Sequence, residues 1–574
     1  MQGLNMAQHI VVIGGVALGP KAACRFKRLE PGSTVTMIDQ SGLISYGGCG
    51  IPYFVSGDVS EARELSTTSF HMVRDVEFFK DVKGVDVRTL TRATRIDRER
   101  KQVHVQDVTT GEASVLDYDK LVVATGATPR RLGLPGEELA GVSYVCNPDD
   151  ATRIRDGISR GEVGKAVIIG AGFIGLEMAE AFADMWGIET SLVEITDQLM
   201  PRLVSPALAA MAQRHMEENG VEFFFGESVR AIEGEDGRVT RVVTDKRTLE
   251  ADAVIIAAGV VPVSDLARDA GLAVHERGGV LVDEHLRTND PDIYAGGDCA
   301  IVRHLITGQP VFLPLGSMAN RQGRVIGTNL AGGDARFPGV VGSFVVKLFE
   351  TSLAGTGLSL EAALAAGFDA ISVLLVQLDR AHFYPTKELM TLEMVVEKTT
   401  RRVLGVQGFG SSGDAMVGRI NAVAAIIPHG PTVEDISNLE MAYAPPFSSA
   451  MDVLNSLANL ADNVLSGINR GVGPDGFAQL WDRRDEGTCY FIDCREAADA
   501  EGYVERNPGQ WHNIPQGQLR QRIAEVPRDR TVVLVCNTGA RSYEAQVIMD
   551  EHGVDDVVNV QGGMAALKKY GLDI

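Results

Sequence analysis

Cysteine is scarce in this chain: seven residues, an odd number, scattered from Cys24 to Cys536. A disulfide-stapled scaffold needs paired, regularly spaced cysteines, so that class is excluded and a reducing, cytoplasmic setting is expected. Long apolar runs are missing as well. No stretch approaches the ~20 residues that cross a bilayer. The opening MQGLNMAQHIVVIGG carries neither a basic segment nor a cleavage site, so no membrane association is expected. Positive charge is in deficit: 54 Lys and Arg stand against 76 Asp and Glu, a net charge of −22. That sets nucleic acid aside as a partner, while leaving room for a local basic pocket. Histidine offers no spaced ligand set. His382 and His429 stand alone, and no metal site is expected. What remains is an ordinary globular composition, 45% hydrophobic and 23% charged, and 574 residues call for several domains.

The first element is an apolar strand, a glycine turn and a helix start, HIVVIGGVALG from His9 to Gly19. A second strand, TVTMID, ends at Asp39. The turn carries Gly14, Gly15 and Gly19, but Val16 holds the place of the usual middle glycine. Asp39 follows Gly19 at the distance from which an acid holds an adenosine ribose. A plain βαβ turn is the rival reading of this copy. The second copy is complete: VIIGAGFIGLE places Gly170, Gly172 and Gly175 after an apolar strand, with a helix running to about Gly187. The glycines permit the tight turn, the approach of a pyrophosphate and close helix–strand packing. The following strand ends at Glu194, an acid that accepts from ribose hydroxyls and repels a 2′-phosphate, which favours NADH over NADPH. Two such folds in one chain suggest one resident flavin and one visiting nicotinamide.

Other segments sharpen that reading. LVVATGATPR contains Thr125 and Gly126 in a small-residue turn, VIIAAGVVP is its counterpart, and DIYAGGDCA ends in Asp298. In this order and spacing they resemble the two-dinucleotide-domain flavoprotein disulfide reductases. The resemblance implies an FAD domain at residues 8–150 and 265–335, an NAD domain at 151–264 and an α/β dimerisation domain at 336–465. In it Thr125, Gly126 and Asp298 would face the flavin, and the chain would be a homodimer.

SYGGCGIPYF raises a separate question, because Cys49 lies alone among glycines. Most such reductases pair two nearby cysteines, and this sequence has no C-x-x-C or C-x4-C there. A one-cysteine site resembles the coenzyme A-disulfide reductase branch, with its NADH oxidases, peroxidases and persulfide reductases. A thiolate at Cys49 would attack a sulfur–sulfur bond, and glycine N–H groups together with the flavin environment are expected to keep it ionised. The same resemblance assigns substrate contacts to Arg25, Arg28 and Ser45, with a solvated helix face as the rival reading of the two arginines. It gives Tyr443 in YAPPFS and Tyr384 in HFYPT a reach across the dimer to the substrate sulfur; a buried structural tyrosine is the rival for both. Gly48 stands where the branch often has Asn. Cys24 is expected to pack on the first helix.

SGINRGVGPD, residues 466–475, reads as a linker, and residues 476–574 as a small α/β domain. In TVVLVCNTGARSYEA, Cys536 follows a buried strand and precedes a tight loop and helix, an anion nest to which Arg541 adds charge. The pattern C-x-x-G-x-R-S, with CYFIDCRE upstream, resembles the rhodanese sulfurtransferases. It implies that Cys536 carries sulfane sulfur and that Asp493 and Arg495 are structural. Leu567 replaces a frequent tryptophan, and Cys489 and Cys494 are expected in the core.

The resemblance therefore covers nearly the whole chain: an α/β protein with two Rossmann-like domains, a dimerisation domain and a C-terminal rhodanese domain. It implies NADH-dependent, FAD-mediated reduction of persulfides or polysulfides, with coenzyme A as the thiol carrier. Coenzyme A disulfide, oxygen or peroxide as substrate is the alternative within that fold. A low-turnover flavin sensor is the alternative outside it.

Overall fold

The computed structural model describes residues 7–574. It divides into two compact units, one running to Val193 and including Glu227–Val340, the other comprising Glu194–Gly226 and Val341–Ile574.

In the first unit the strand His9–Ile13 is central to a parallel sheet ordered Ile293–Ala295, Lys120–Val123, His9–Ile13, Thr34–Ile38, Asp86–Arg88. Ile10, Val12, Met37 and Val122 enter one core, and Val11, Ile13, Leu121 and Val123 the other. Burial on both faces is why these strands read as unbroken apolar runs. The helix Leu18–Leu29 lies against the helix Gly316–Leu330. A Cβ on Gly323 would stand 2.8 Å from the Leu18 carbonyl oxygen, and one on Gly327 2.5 Å from that of Ala22. Glycine at both places lets the two backbones meet.

The second copy repeats the plan. Lys165–Ile169 lies between Glu189–Glu194 and Ala253–Ile256, all parallel, with Val142–Ser143 beyond. Its helix, Phe173–Ala183, stops short of the expected Gly187. The chain turns away there, and Trp186 Nε1 donates to the Val55 carbonyl at 2.8 Å.

The second unit contains an antiparallel sheet ordered Phe344–Leu348, Thr351–Gly357, Val403–Gly410, Leu389–Glu397, Ala370–Leu378. Residues 194–226, counted with the second nucleotide domain in the sequence, group with this unit. There Ser205 donates through Oγ to buried Glu393, and its N–H donates to Gln407 Oε1 at 2.9 Å. Arg419 and Asp452 form a buried pair at 2.7 Å that ties the helices Gly413–Ile426 and Val453–Leu465.

Residues 471–574 build a five-stranded parallel sheet ordered Gly471–Val472, Val557–Val560, Thr531–Val535, Cys489–Asp493, Trp511–Asn513. Phe477, Trp481, Phe491 and Trp511 pack edge-on and stacked under one face. The segment expected as a linker is partly built into this domain. Gly471–Val472 is its edge strand, Asn469 is buried, and Arg470 pairs with Asp550 and donates to the Val557 carbonyl. An edge strand needs only backbone donors and acceptors, so two residues without apolar periodicity suffice.

Candidate active site

The glycine turns stand at the ends of both central strands. Gly14 has φ +113° and Gly170 φ +109°, each in the left-handed half of backbone space. A Cβ on Gly19 or Gly175 would stand 1.9 Å from the Gly14 or Gly170 carbonyl oxygen respectively, so both positions demand glycine. A Cβ on Gly172 or Gly126 would meet open space. In the first copy, where Val16 holds the middle position, Gly15 N–H donates to Asp39 Oδ2 at 2.7 Å, and Ser41 N–H to Oδ1 at 2.8 Å. Burial nevertheless pushes the Asp39 carboxyl up. Glu194 accepts from the N–H and Oγ1 of Thr196. Thr125 Oγ1 donates to the Val263 carbonyl beside Gly126.

These residues fit the two dinucleotides that the sequence implies. Asp298 is the clearest test. It sits at the start of Gly297–Cys299, its carboxyl is pushed up by burial, and it has no hydrogen-bond partner among the described residues. A carboxylate so placed suits the hydroxyls of a ribityl chain.

Cys49 lies in the short turn Gly48–Gly50, just before the helix Ile51–Ser56, and is exposed. Its Sγ is 3.5 Å from where a Cβ on Gly316 would be, and the Gly316 N–H, at the start of the helix Gly316–Leu330, lowers its pKa. The net direction is nonetheless upward. Desolvation leads, followed by the charges of Glu177 and Asp298. Within the protein itself the glycine N–H groups do not keep Cys49 ionised. Burial first, then the charges of Glu177 and Asp298, outweigh the backbone N–H groups and favour the thiol, which leaves that role to the flavin environment. Glu177, the last residue of VIIGAGFIGLE, is a neighbour of Cys49 that the fingerprint itself does not point to. Its spacing from the strand was the available signal: it lies on the helix Phe173–Ala183, where Pro52, Tyr53, Glu180 and Asp184 share a small crevice with it.

Burial, then the neighbouring Glu180, pushes the Glu177 carboxyl up to about 7. A carboxyl raised in the native state adds stability below its unfolded value of 4.5, and that contribution is lost as pH climbs through about 7. Glu177→Gln is expected to melt above the parent at about pH 8, the gap closing towards pH 4.5, by thermal circular dichroism across that range.

The other predicted contacts are distributed unevenly. Arg25 is half-buried, with Nε donating to Thr328 Oγ1 at 3.1 Å, whereas Arg28 is exposed. Ser45 is buried, with φ +49°, and its N–H donates to the Gly15 carbonyl. Cys24 is half-buried.

In the second unit, Cys536 opens the loop between Thr531–Val535 and the helix Ala540–Glu551. Gly539, with φ +98°, turns its N–H onto Cys536 Sγ at 3.2 Å, and Ser542 Oγ donates to the same sulfur at 3.3 Å. Ser542, the serine of C-x-x-G-x-R-S, thus has a part at the sulfur that the pattern alone does not assign. A second strap fixes the loop from the other side. Met564 N–H donates to the Cys536 carbonyl and Ala565 N–H to that of Asn537, and a Cβ on Gly563 would stand 2.3 Å from the Cys536 carbonyl oxygen. Asp493 is fully engaged beneath: it accepts from Arg495 Nε at 2.9 Å, Arg495 Nη2 at 2.6 Å and Trp511 Nε1 at 3.2 Å, all buried. Cys494 is buried, and Cys489 half-buried.

Cys536 faces a cavity of about 1160 Å³ within this unit. Arg541, Arg495, Lys568 and Arg380 line it, as does the apolar strand segment Leu374–Leu378. Tyr443, 51% exposed, lines the same cavity. The resemblance gives that tyrosine a reach across the dimer to the substrate sulfur; here it shares a cavity with Cys536 of its own chain. Tyr384 is half-buried in the turn after that strand and does not line the cavity. Among the described residues there is no cluster of potential metal ligands, and no helix is long and apolar enough to cross a membrane.

Comparison with known proteins agrees with this layout. Residues 8–323 match the pyridine nucleotide-disulphide oxidoreductase family, residues 343–454 its dimerisation domain and residues 477–570 the rhodanese-like domain. The chain is 35% identical over 460 residues to an NAD(P)H sulfur oxidoreductase (CoA-dependent) of Pyrococcus abyssi, covering 80% of this chain and 99% of that one. Its fold is similar to that of a NAD-dependent persulfide reductase from A. fulgidus, with TM-score 0.91, 38% identity, and 97% and 99% of the two chains covered. It is likewise similar to the reduced CoADR-RHD of Bacillus anthracis, with TM-score 0.89, 33% identity, and 99% and 98% covered. With its fingerprint turns, its solitary Cys49 and its Cys536 loop, this chain belongs to the pyridine nucleotide-disulphide oxidoreductase family, extended by a rhodanese domain.

Proposed function

We propose that this protein is an NADH-dependent, FAD-containing reductase of persulfides and polysulfides that uses coenzyme A as its thiol carrier. The observation that carries the reading is the pairing, in one chain, of an exposed unpaired thiol at Cys49 with a second thiol cradled by Gly539 and Ser542 at Cys536. Bound FAD supplies the relay that delivers two electrons from NADH to a sulfur–sulfur bond. The turns at Gly14–Gly15–Gly19 and Gly170–Gly172–Gly175 hold the pyrophosphates, Asp39 and Glu194 the riboses, and Asp298, Thr125 and Gly126 the flavin. Glu194 sets the preference for NADH. Cys49 attacks the sulfur–sulfur bond of coenzyme A persulfide, and the Gly316 N–H steadies the thiolate at the moment of attack. The attack leaves a mixed disulfide on Cys49 as sulfide departs, or a persulfide as the coenzyme A thiol departs. The two electrons from NADH then cleave that bond and restore the thiolate. Arg25 and Arg28 present charge to the nucleotide phosphates, with Ser45 beside them. Cys536 takes a sulfane sulfur from polysulfide, which leaves one sulfur shorter. The resulting persulfide anion is held by Gly539, Ser542 and Arg541, and its outer sulfur passes to the coenzyme A thiolate, which frees the Cys536 thiolate.

A homodimer completes the reading. Phe383, Phe447 and Met451 expose 66%, 73% and 55% of their surface beside Tyr443, an apolar face that suits a second copy of this chain. Across it Tyr443 and Tyr384 would protonate the leaving thiolate in the partner. The domains follow as 8–150 with 265–335, 151–264, 336–465 and 476–574. The seven free thiols suit a cytoplasmic setting.

Anaerobic NADH oxidation by the purified protein tests the reading. Faster turnover with coenzyme A persulfide than with coenzyme A disulfide is expected. A preference for the disulfide would leave the rhodanese domain as a separate activity and overturn the proposal.

A further inference from the structure

We propose that Cys494 is the resolving thiol of Cys536: when hydrogen peroxide oxidises Cys536 to the sulfenic acid, Cys494 closes a reversible Cys494–Cys536 disulfide. The inference rests on the reading of Cys536 as the domain's reactive thiol, and otherwise on strand register. The strands Cys489–Asp493 and Thr531–Val535 are parallel neighbours with Asp493 opposite Val535. Cys494 N–H donates to the Val535 carbonyl at 2.7 Å, so the pairing carries on past the last registered residues, and Cys494 and Cys536 are next in line.

Both side chains also point the same way. Ile492, Cys494, Val532, Leu534 and Cys536 enter one core, while Phe491, Val533 and Val535 enter the other. Paired strands lie about 4.8 Å apart, within reach of the Cα separation of roughly 4.4–6.8 Å that a disulfide spans. Cys489, at the far end of the same strand, faces Thr531 and is out of register with Cys536.

The two thiols differ in the way such a pair requires. Cys536 receives hydrogen bonds from Gly539 and Ser542 and opens onto the cavity, where a small oxidant reaches it. Cys494 is buried as Cys536 is, 0% against 1% exposed, but it does not line the cavity, and burial holds its thiol up, so it is spared direct oxidation. In the first step the Cys536 thiolate attacks peroxide. The O–O bond breaks, hydroxide leaves, and sulfur loses two electrons to give the sulfenic acid. In the second step the Cys494 sulfur displaces the sulfenic oxygen as water, carrying the thiol proton with it. One S–S bond forms, with no further change in electron count. Two external thiols then restore both cysteines. Without Cys494, a second peroxide would carry Cys536 to the sulfinic acid, which thiols do not reverse.

The test uses the full-length protein, with Cys494→Ser and, as a second variant that keeps the core apolar, Cys494→Val. Thiosulfate:cyanide sulfurtransferase activity is measured before peroxide, after a few equivalents of it, and after dithiothreitol. Peptides are mapped by mass spectrometry without reduction. Before peroxide, all three proteins should transfer sulfur alike. Afterwards the parent should yield the Cys494–Cys536 peptide and recover nearly all activity on reduction, while both variants should retain Cys536 sulfinic acid and recover at least ~5-fold less. Sulfinic acid on Cys536 in the parent, an unmodified Cys536, or a disulfide to any other cysteine would overturn the proposal. Absence of sulfur transfer at the outset, with the cross-linked peptide still formed, would count against the sulfurtransferase reading and leave this one standing.

Discussion

Cys49→Ser should reduce NADH-dependent turnover of coenzyme A persulfide by at least ~1000-fold while leaving NADH able to bleach the bound flavin. The hydroxyl that replaces the thiol forms no bond to sulfur from which electrons could later release it, so the cycle stops after the flavin is reduced. Fold and cofactor sites should be untouched, because Cys49 is exposed and lies in a turn set by its neighbouring glycines. Stopped-flow absorbance would follow the flavin, and steady-state NADH oxidation the cycle. Persistence of turnover in this variant would remove Cys49 from the mechanism altogether.

The companion substitution separates the two chemistries. Cys536→Ser should abolish sulfurtransferase activity, by at least ~100-fold, because the nest of Gly539, Ser542 and Arg541 then has no sulfur to hold. Reduction of preformed coenzyme A persulfide should stay within about twofold of the parent, since its bond is broken at Cys49. The same variant given only inorganic polysulfide and catalytic coenzyme A should be slow, as loading of the carrier is lost. Equal losses in both assays would show that sulfur reaches Cys49 only through Cys536.

Much of this was legible because the chemistry of the glycine turns is local. Gly19 and Gly175 are required by carbonyl oxygens only five residues away, and a strand, a turn and a helix are written consecutively. Asp39, Glu194 and Asp298 stand at strand ends for the same reason. Distant partners could not be read this way. Gly316, whose N–H approaches Cys49, comes from a helix far along the chain, and the burial that raises the Cys49 pKa, with the charges of Glu177 and Asp298 behind it, depends on folding. The shared cavity of Tyr443 and Cys536 depends on how one sheet packs against another domain, which no motif encodes. Strand register is likewise invisible in CYFIDCRE and TVVLVCNTG until the ladder is drawn.

The edge strand Gly471–Val472 has a practical corollary. Residues that look like slack between two domains form the hem of the second one: Asn559 and Val560 lose their outer neighbours if the chain is cut where the domain's apolar sequence pattern begins. A fragment started there would present raw strand edge to solvent and to other copies of itself. An excised sulfur-handling module worth studying must therefore begin upstream, near Ile468, whose carbonyl accepts from Gln546, so that the domain keeps its own border.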